Sequence, residues 1–269
     1  MCTGGAVCVM MIINGHSVPV ALLCAFLAGM AAGLITGLLH TAMGIQALLA
    51  GILTQLSLYS INLKIMGWGS GAGKANQAIS VDKYDLGVSS RYLFDGTYPW
   101  YKSPILWGAV FCVAIIVILY WFFGTEMGCS IRATGANPNM SRAQGINVDF
   151  NKVLGLMLSN CLVALSSGLL AQYQGFIDTN TGRGAIVIGL AAVIIGDVLF
   201  SRIFRNFALK LLGVVFGAII YYLVMQVVLW LKVDSDMLKV LSAAIVAIFL
   251  AVPYWKGKYI PVKIKHQPE

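Results

Sequence analysis

Apolar runs of about 20 residues recur along this chain, and they restrict its folding more than any other feature. A helix of that length crosses the roughly 30 Å hydrocarbon core of a bilayer. In lipid every backbone polar group must be satisfied within the protein, so repeated runs of this kind specify a bundle of membrane-crossing helices. They do not alternate apolar and polar residues over short strands, which argues against a transmembrane barrel. Only 10% of the 269 residues are charged and 59% are hydrophobic, where a soluble domain carries about 25% charged residues. The reading is an all-α polytopic transmembrane bundle in the lipid bilayer. It has about six full spans plus a partial N-terminal one, in a single domain over residues 1–269.

The net charge of +8 could serve nucleic acid, but the basic residues are dispersed in loops and at the C-terminus rather than laid along one face. Retention of Lys and Arg on the cytoplasmic side explains them better, and no nucleic-acid partner is expected. The six cysteines form no CxxC pair, and most lie in apolar runs, where cysteine acts as a small hydrophobe. Neither a disulfide framework, a metal site nor a cofactor is expected.

Residues 4–13 are apolar but too short to span. They lack the basic start and small-residue cleavage site of a signal peptide, so they read as a partial first span. The first full span is 18–39, with Pro19 at its start and Gly29, Gly33 and Gly37 four residues apart. Small residues at that spacing let helices approach closely in lipid. A break at His40-Thr41-Ala42-Met43-Gly44 leads to 45–66, which carries Gln46, Thr54, Gln55, Ser57, Tyr59, Ser60, Asn62 and Lys64. Polar groups at membrane depth are costly unless they bond a neighbouring helix or line a wet cavity. Gln55, Tyr59 and Asn62 fall at i, i+4 and i+7 on one helix face. Pathway lining and interhelical hydrogen bonding both fit that stripe.

Residues 67–102 form a polar, Gly-rich loop holding Asp82, Asp85 and Asp95. Its Gly69-Ser70-Gly71-Ala72-Gly73-Lys74-Ala75 run imitates a phosphate-binding loop and fails: Trp68 stands where the first Gly belongs, and Ala75 replaces the magnesium-binding hydroxyl. Further apolar segments follow at 105–123, 153–170, 185–200, 209–231 and 238–252. Trp100, Tyr101 and Trp107 at one end of 105–123, with Tyr120 and Trp121 at the other, make the aromatic belts of a membrane interface.

Charge counting orients the bundle. The 124–152 loop, the 201–210 turn and the tail carry Arg132, Arg142, Lys152, Arg202, Arg205, Lys210, Lys256, Lys258, Lys263 and Lys265; the short loops opposite carry only Arg183, Lys232 and Lys239. Alternation of the spans demands the same grouping, which makes 124–152 cytoplasmic and 67–102 non-cytoplasmic. Within 124–152, Gly135 can take a positive φ, Asn137 can cap a helix and Pro138 can open it. Ala143 and Gly145 then leave a small-residue surface for another protein's groove, and Arg142 offers a charge to an acidic rim.

The stretch Arg132-Ala133-Thr134-Gly135-Ala136-Asn137-Pro138, followed by Ala143-Gln144-Gly145-Ile146, resembles the coupling loop of bacterial ABC importer permeases of the ribose and branched-chain amino acid type. Nearly the whole chain is similar to the branch of that family associated with tryptophan- and tyrosine-type binding proteins. The similar segments include Leu38-Leu39-His40-Thr41, Leu49-Ala50-Gly51-Ile52-Leu53-Thr54, Tyr59-Ser60-Ile61-Asn62-Leu63, Ala171-Gln172-Tyr173-Gln174-Gly175-Phe176 and Ile188-Gly189-Leu190-Ala191. Two departures stand out. The family carries further N-terminal sequence, a complete first span and part of a second, and the 68–73 insertion before Lys74-Ala75-Asn76 is foreign to its pattern.

The resemblance implies a permease subunit in the bacterial plasma membrane that imports a small, amino acid-like solute by alternating access. It implies an ABC ATPase subunit, an extracytoplasmic solute-binding protein and a second permease copy as partners. It implies no catalysis in this chain, since ATP is hydrolysed in the separate subunit. ATPase coupling then falls to Gly135, Asn137, Pro138, Arg142, Ala143, Gly145 and Ile146. The substrate pathway falls to Gln55, Tyr59, Asn62, Asn160, Gln172, Tyr173 and Gln174, with Asp178 past the helix end facing the binding protein. An ion-coupled secondary transporter is the alternative, but it would bury ionisable residues in mid-span, where only Asp197 is a candidate. An intramembrane enzyme lacks support, because His16, His40 and His266 are scattered among loops and tail.

Overall fold

A computed structural model describes residues 1–68, 73–79, 88, 103–180, 182, 185–200, 206–230, 240, 244 and 247. The chain forms two compact units, Met1–Gly182 and Arg183–Glu269. Most of the 67–102 loop and most of the 238–252 span, together with the basic turn at 201–205 and the tail lysines, lie outside the described residues.

In the first unit, helix α1 (Cys2–Ile13) precedes α2 (Val18–Thr41), α3 (Ala47–Met66), strand β1 (Asn76–Ala78) and α4 (Pro104–Gly124). Then come α5 (Glu126–Ala136), α6 (Pro138–Ala143), α7 (Val148–Gln174) and strand β2 (Phe176–Asp178). Glycine spacing dictates how α2 meets α7. A Cβ on Gly29 would strike the Ala164 side chain and the Asn160 carbonyl, one on Gly33 would lie 2.6 Å from the Leu156 oxygen, and one on Gly37 would lie 3.0 Å from the Val153 Cα. Successive glycines of α2 therefore meet successively earlier turns of α7, and the two helices run antiparallel with their backbones in contact. Helix α1 lies parallel to α7: Gly4 abuts Ala164, Gly5 abuts Ser167, and Cys8 meets Gly168. At 12 residues it is about 18 Å long, too short to cross the hydrocarbon.

Between α2 and α3 a polar contact joins the packing. The buried Thr36 hydroxyl donates to Thr54 Oγ1 at 2.9 Å, while Thr54 donates to the Ala50 carbonyl. A double-mutant cycle with Thr36→Val and Thr54→Val should give a coupling energy of about 0.6–1.7 kcal/mol in thermal unfolding. Strict additivity of the two losses would show that the pair does not hold the helices together.

The observed ends sharpen the expected ones. His40 and Thr41 belong to α2, and the break begins at Ala42. It turns at Gly44, whose φ is +66°, with His40 Nδ1 2.8 Å from the Ile45 carbonyl. α7 outruns the expected 153–170 at both ends. The Asn147 side chain starts it by accepting from the Phe150 N–H at 3.1 Å, and Gly175 stops it at φ +76°. The 67–102 loop contributes β1, which pairs antiparallel with β2 in the register Gln77↔Ile177. No alternating pattern announced so short a pair.

The second unit holds α8 (Ala185–Phe200) and α9 (Phe207–Trp230). They form an antiparallel pair through small residues, with Gly196 against Gly213 and Gly217 against Ala192. Tyr221 is buried beside Ala191 and Ile195, whereas Asp197 is exposed. Across the described residues, α2, α3, α4, α7 and residues 207–228 are long and apolar enough to cross a membrane, and α1 and the apolar part of α8 are shorter. The chain is an all-α polytopic membrane protein.

Candidate functional site

The 124–152 loop is built almost entirely of helix. Thr125 ends α4 and begins α5 with no linker between them. Its hydroxyl donates to the Phe122 carbonyl at 2.6 Å and accepts from the Gly128 N–H at 3.3 Å. The bend is tight enough that a Cβ on Gly128 would lie 2.5 Å from the Phe123 Cα. Glu126 then sits in the first turn of α5, where its charge favours the positive end of the helix dipole.

Asn137 closes α5 and opens α6. Its N–H donates to the Ala133 carbonyl at 3.0 Å, and its Oδ1 accepts from the N–H groups of Asn139 and Met140, both at 3.1 Å. Pro138 follows at the first helical position, where its missing N–H costs nothing. At the far end, Ile146 N–H donates to the Ser141 carbonyl at 3.1 Å and Gly145 N–H to Arg142 at 3.0 Å. Gly145 sits at φ +80°. These two bonds and the left-handed glycine are a Schellman cap. The positive φ expected of Gly135 therefore belongs to Gly145: Gly135 lies inside α5, where its backbone is helical.

This pair of caps presents α6 outward. Pro138, Met140, Arg142, Ala143, Gln144 and Gly145 are exposed, Ile146 is half-buried, and Ser141 is the buried anchor. The Ser141 hydroxyl donates to the Asn137 carbonyl at 3.1 Å. Beneath α6, the Asn151 amide of α7 donates to Ser130 Oγ at 2.6 Å and to Thr134 Oγ1 at 2.9 Å, both on α5. With Asn151 and Thr134 buried, this tie joins the loop to the long helix. Sequence reasoning singled out neither Asn151 nor Ser141. Each is a common polar residue whose role depends on what lies across from it.

The seven pathway candidates divide. On α3, Gln55 and Tyr59 are exposed while Asn62 is buried, its Oδ1 without a partner among the described residues. Asn160, half-buried in mid-α7, donates to the carbonyl of Leu156 on its own helix at 2.9 Å. Gln172 is fully buried: its Nε2 donates to Cys8 Sγ at 3.4 Å, and its Oε1 has no partner among the described residues. Tyr173 and Gln174 are exposed at the end of α7. Asp178 follows on β2, where the Asn180 backbone N–H, helped by the Asn180 and Thr179 side chains, holds its carboxyl below the ordinary aspartate range. No group of three or more His, Cys, Asp or Glu able to hold a metal occurs among the described residues.

Comparison with known proteins follows the same lines. Residues 1–250 match the family described as the permease component of the branched-chain amino acid transport system. The chain is 37% identical over 248 residues to the tyrosine transport system permease protein of Clostridioides difficile, covering 92% of this chain and 77% of that protein. It is 32% identical over 196 residues to the autoinducer 2 import system permease protein LsrC of Yersinia pseudotuberculosis, covering 72% of this chain and 51% of that one. No solved structure matches. Spans and comparisons agree: the chain belongs to the branched-chain amino acid transport permease family and is a multi-pass permease component of the ABC importer type.

Proposed function

We propose that this permease pairs with a second copy, receives a small amino acid-like solute from an extracytoplasmic binding protein and releases it into the cytoplasm. An ABC ATPase drives the cycle by moving α6. The exposed α6, capped at both ends and continuous through Asn137 with α5, which Asn151 ties to α7, carries the reading. A rigid, outward-facing short helix at the base of a long membrane helix suits transmission of a partner's motion. The cytoplasmic placement of this loop rests on the positive-inside rule. Gln55 and Tyr59, exposed at span depth, together with Tyr173 and Gln174 near the opposite end, are the groups best placed to line the route. Residues 1–269 act as one permease domain in this reading.

Tyrosine is the first solute to test, given the name of the C. difficile relative. Proteoliposomes holding the chain, its ATPase and its binding protein should accumulate labelled tyrosine only when ATP is supplied on the ATPase side. Uptake by the chain alone under a proton or sodium gradient would establish the ion-coupled class instead.

A further inference from the structure

Beyond Gly175 the chain turns back into the bundle beside α1. The Ile79 N–H donates to the Gly175 carbonyl at 2.8 Å, Asn76 then pairs with Asp178, and the Thr179 N–H donates to the Ala75 carbonyl at 2.9 Å. Ile177 reaches Gly5, which also abuts Ser167, and Gly182 lies against Met1, further down α1. Gly4 lies against Ala164, so the chain from Asp178 to Asn180 descends towards the level of Ala164. That level is ten residues (174 − 164) before the end of α7 at Gln174, about 15 Å along the helix. The other strand agrees in depth. The Lys74 N–H donates to the Leu63 carbonyl at 3.2 Å, and Leu63 is nine residues (63 − 54), about 13 Å, along α3 from the Thr36–Thr54 bond near the coupling-loop end. The β1–β2 ladder therefore reaches the middle of the membrane.

One face of the ladder packs inward: Ile79 and Ile177 join Ala6 and Val9 in the core, and Thr179 is buried. Side chains alternate along a strand and directly opposed residues share a face, which puts Lys74, Asn76 and Asp178 on the other side. Asn180 joins them by donating from Nδ2 to Asp178 Oδ2 at 3.4 Å. Lys74, Asn76 and Asn180 are exposed and Asp178 is half-buried. This face carries one ammonium, one carboxylate and two amides. Non-helical backbone at membrane depth persists only where protein buries it or a water-filled cavity meets it, and charged side chains there mark solute routes. Burial accounts for the α1 side alone, so the charged side faces water. Lys74 and Asp178 stand diagonally across the pair, where backbones are about 7–8 Å apart. A ligand with opposite charges on adjacent groups fits between them. A sugar would match neither charge, and a simple ion only one.

We propose that this face is a mid-membrane recognition site for the zwitterionic backbone of an α-amino acid, with Lys74 on its carboxylate, Asp178 on its ammonium and the amides of Asn76 and Asn180 beside them. The proposal rests on the import reading above and gives it a site. The full chain with its ATPase, in nanodiscs without the binding protein, tests it by labelling with a charged, membrane-impermeant thiosulfonate, each modified site being mapped by peptide mass spectrometry. Asn180→Cys should react at least tenfold faster than Val113→Cys, a 57% exposed position in mid-α4. Ala78→Cys, on the same face as Asn76 and exposed, reports occupancy. An equimolar mixture of the twenty standard amino acids should slow its labelling at least threefold, and mixtures of their N-acetyl or carboxamide derivatives, each lacking one charge, should not. Adding Lys74→Gln or Asp178→Asn should abolish that protection while leaving the unprotected rate unchanged, and either variant alone suffices if the other loses its folded elution peak. Asn180→Cys no faster than Val113→Cys, no protection by amino acids, equal protection by a singly charged mixture, or protection that survives the substitutions would each overturn the site. ATP-driven uptake alongside any of those results would keep the importer and remove the site; protection without ATP-driven uptake would keep the site and remove the import cycle.

Discussion

Gly33→Leu is expected to abolish the folded permease, while Gly51→Leu, in the neighbouring helix, should leave it intact. A Cβ at Gly33 would lie 2.6 Å from the Leu156 oxygen and 2.7 Å from the Met157 Cα, and backbone atoms cannot swing aside as a side chain can. In lipid there is little hydrophobic drive to hold two helices together, so their association rests on van der Waals fit and hydrogen bonds. Forcing α2 from α7 at its middle glycine also loosens Gly29 and Gly37, and the expected loss exceeds about 4 kcal/mol, the range reserved for severe core disruption. Gly51 has open space around its Cβ position. Elution profile and thermal midpoint of fluorescent fusions decide the matter: a monodisperse Gly33→Leu protein melting with the wild type would refute the backbone-contact account.

Arg142→Glu combined with Met140→Glu should cut ATP-driven uptake at least tenfold while leaving the thermal midpoint within a few degrees of wild type. Both side chains are exposed on α6, Met140 at 58%, and neither supports the fold. In the proposed complex, replacing an exposed apolar side chain and a positive charge of α6 by two like charges costs about 2 kcal/mol or more of association, which is roughly a thirtyfold weaker complex. Co-purification of the ATPase should fall in parallel. Gly145→Trp would be a poor choice for this purpose, because φ +80° strains any side chain and the α6 cap would fail along with the docking face. Full uptake and full ATPase recovery in the double variant would remove α6 from the coupling role.

Much of the framework was legible before the structure, for reasons particular to membranes. Spans announce themselves by length, and Gly29, Gly33 and Gly37 announced a packing face because only small residues permit backbone contact in lipid. The start of α6 was readable at Asn137-Pro138, where cap and φ restriction are local properties. Both Gly135 and Gly145 can take a positive φ, and only the length of α6 decides that the left-handed turn falls at Gly145. Asn151 was invisible for another reason: its partners, Ser130 and Thr134, are 21 and 17 residues away, and their meeting depends on the Thr125 bend. Asn62 shared a predicted stripe with Gln55 and Tyr59, yet burial separates it from them. Periodicity gives an angle around a helix axis, and neighbours decide which side of that angle meets protein.

The tie at Asn151 has a mechanical meaning. α5, α6 and the base of α7 are pinned together, and α7 runs 27 residues, about 40 Å, before Gly175 releases it. A stiff rod of that length magnifies what happens at its foot. A tilt of 5° there displaces the far tip by about 3.5 Å, more than half the pitch of a helical turn. The tip bears Gln172, Tyr173 and Gln174 and leads straight into the β1–β2 pair, so in the proposed cycle a push at α6 becomes a swing of this far end.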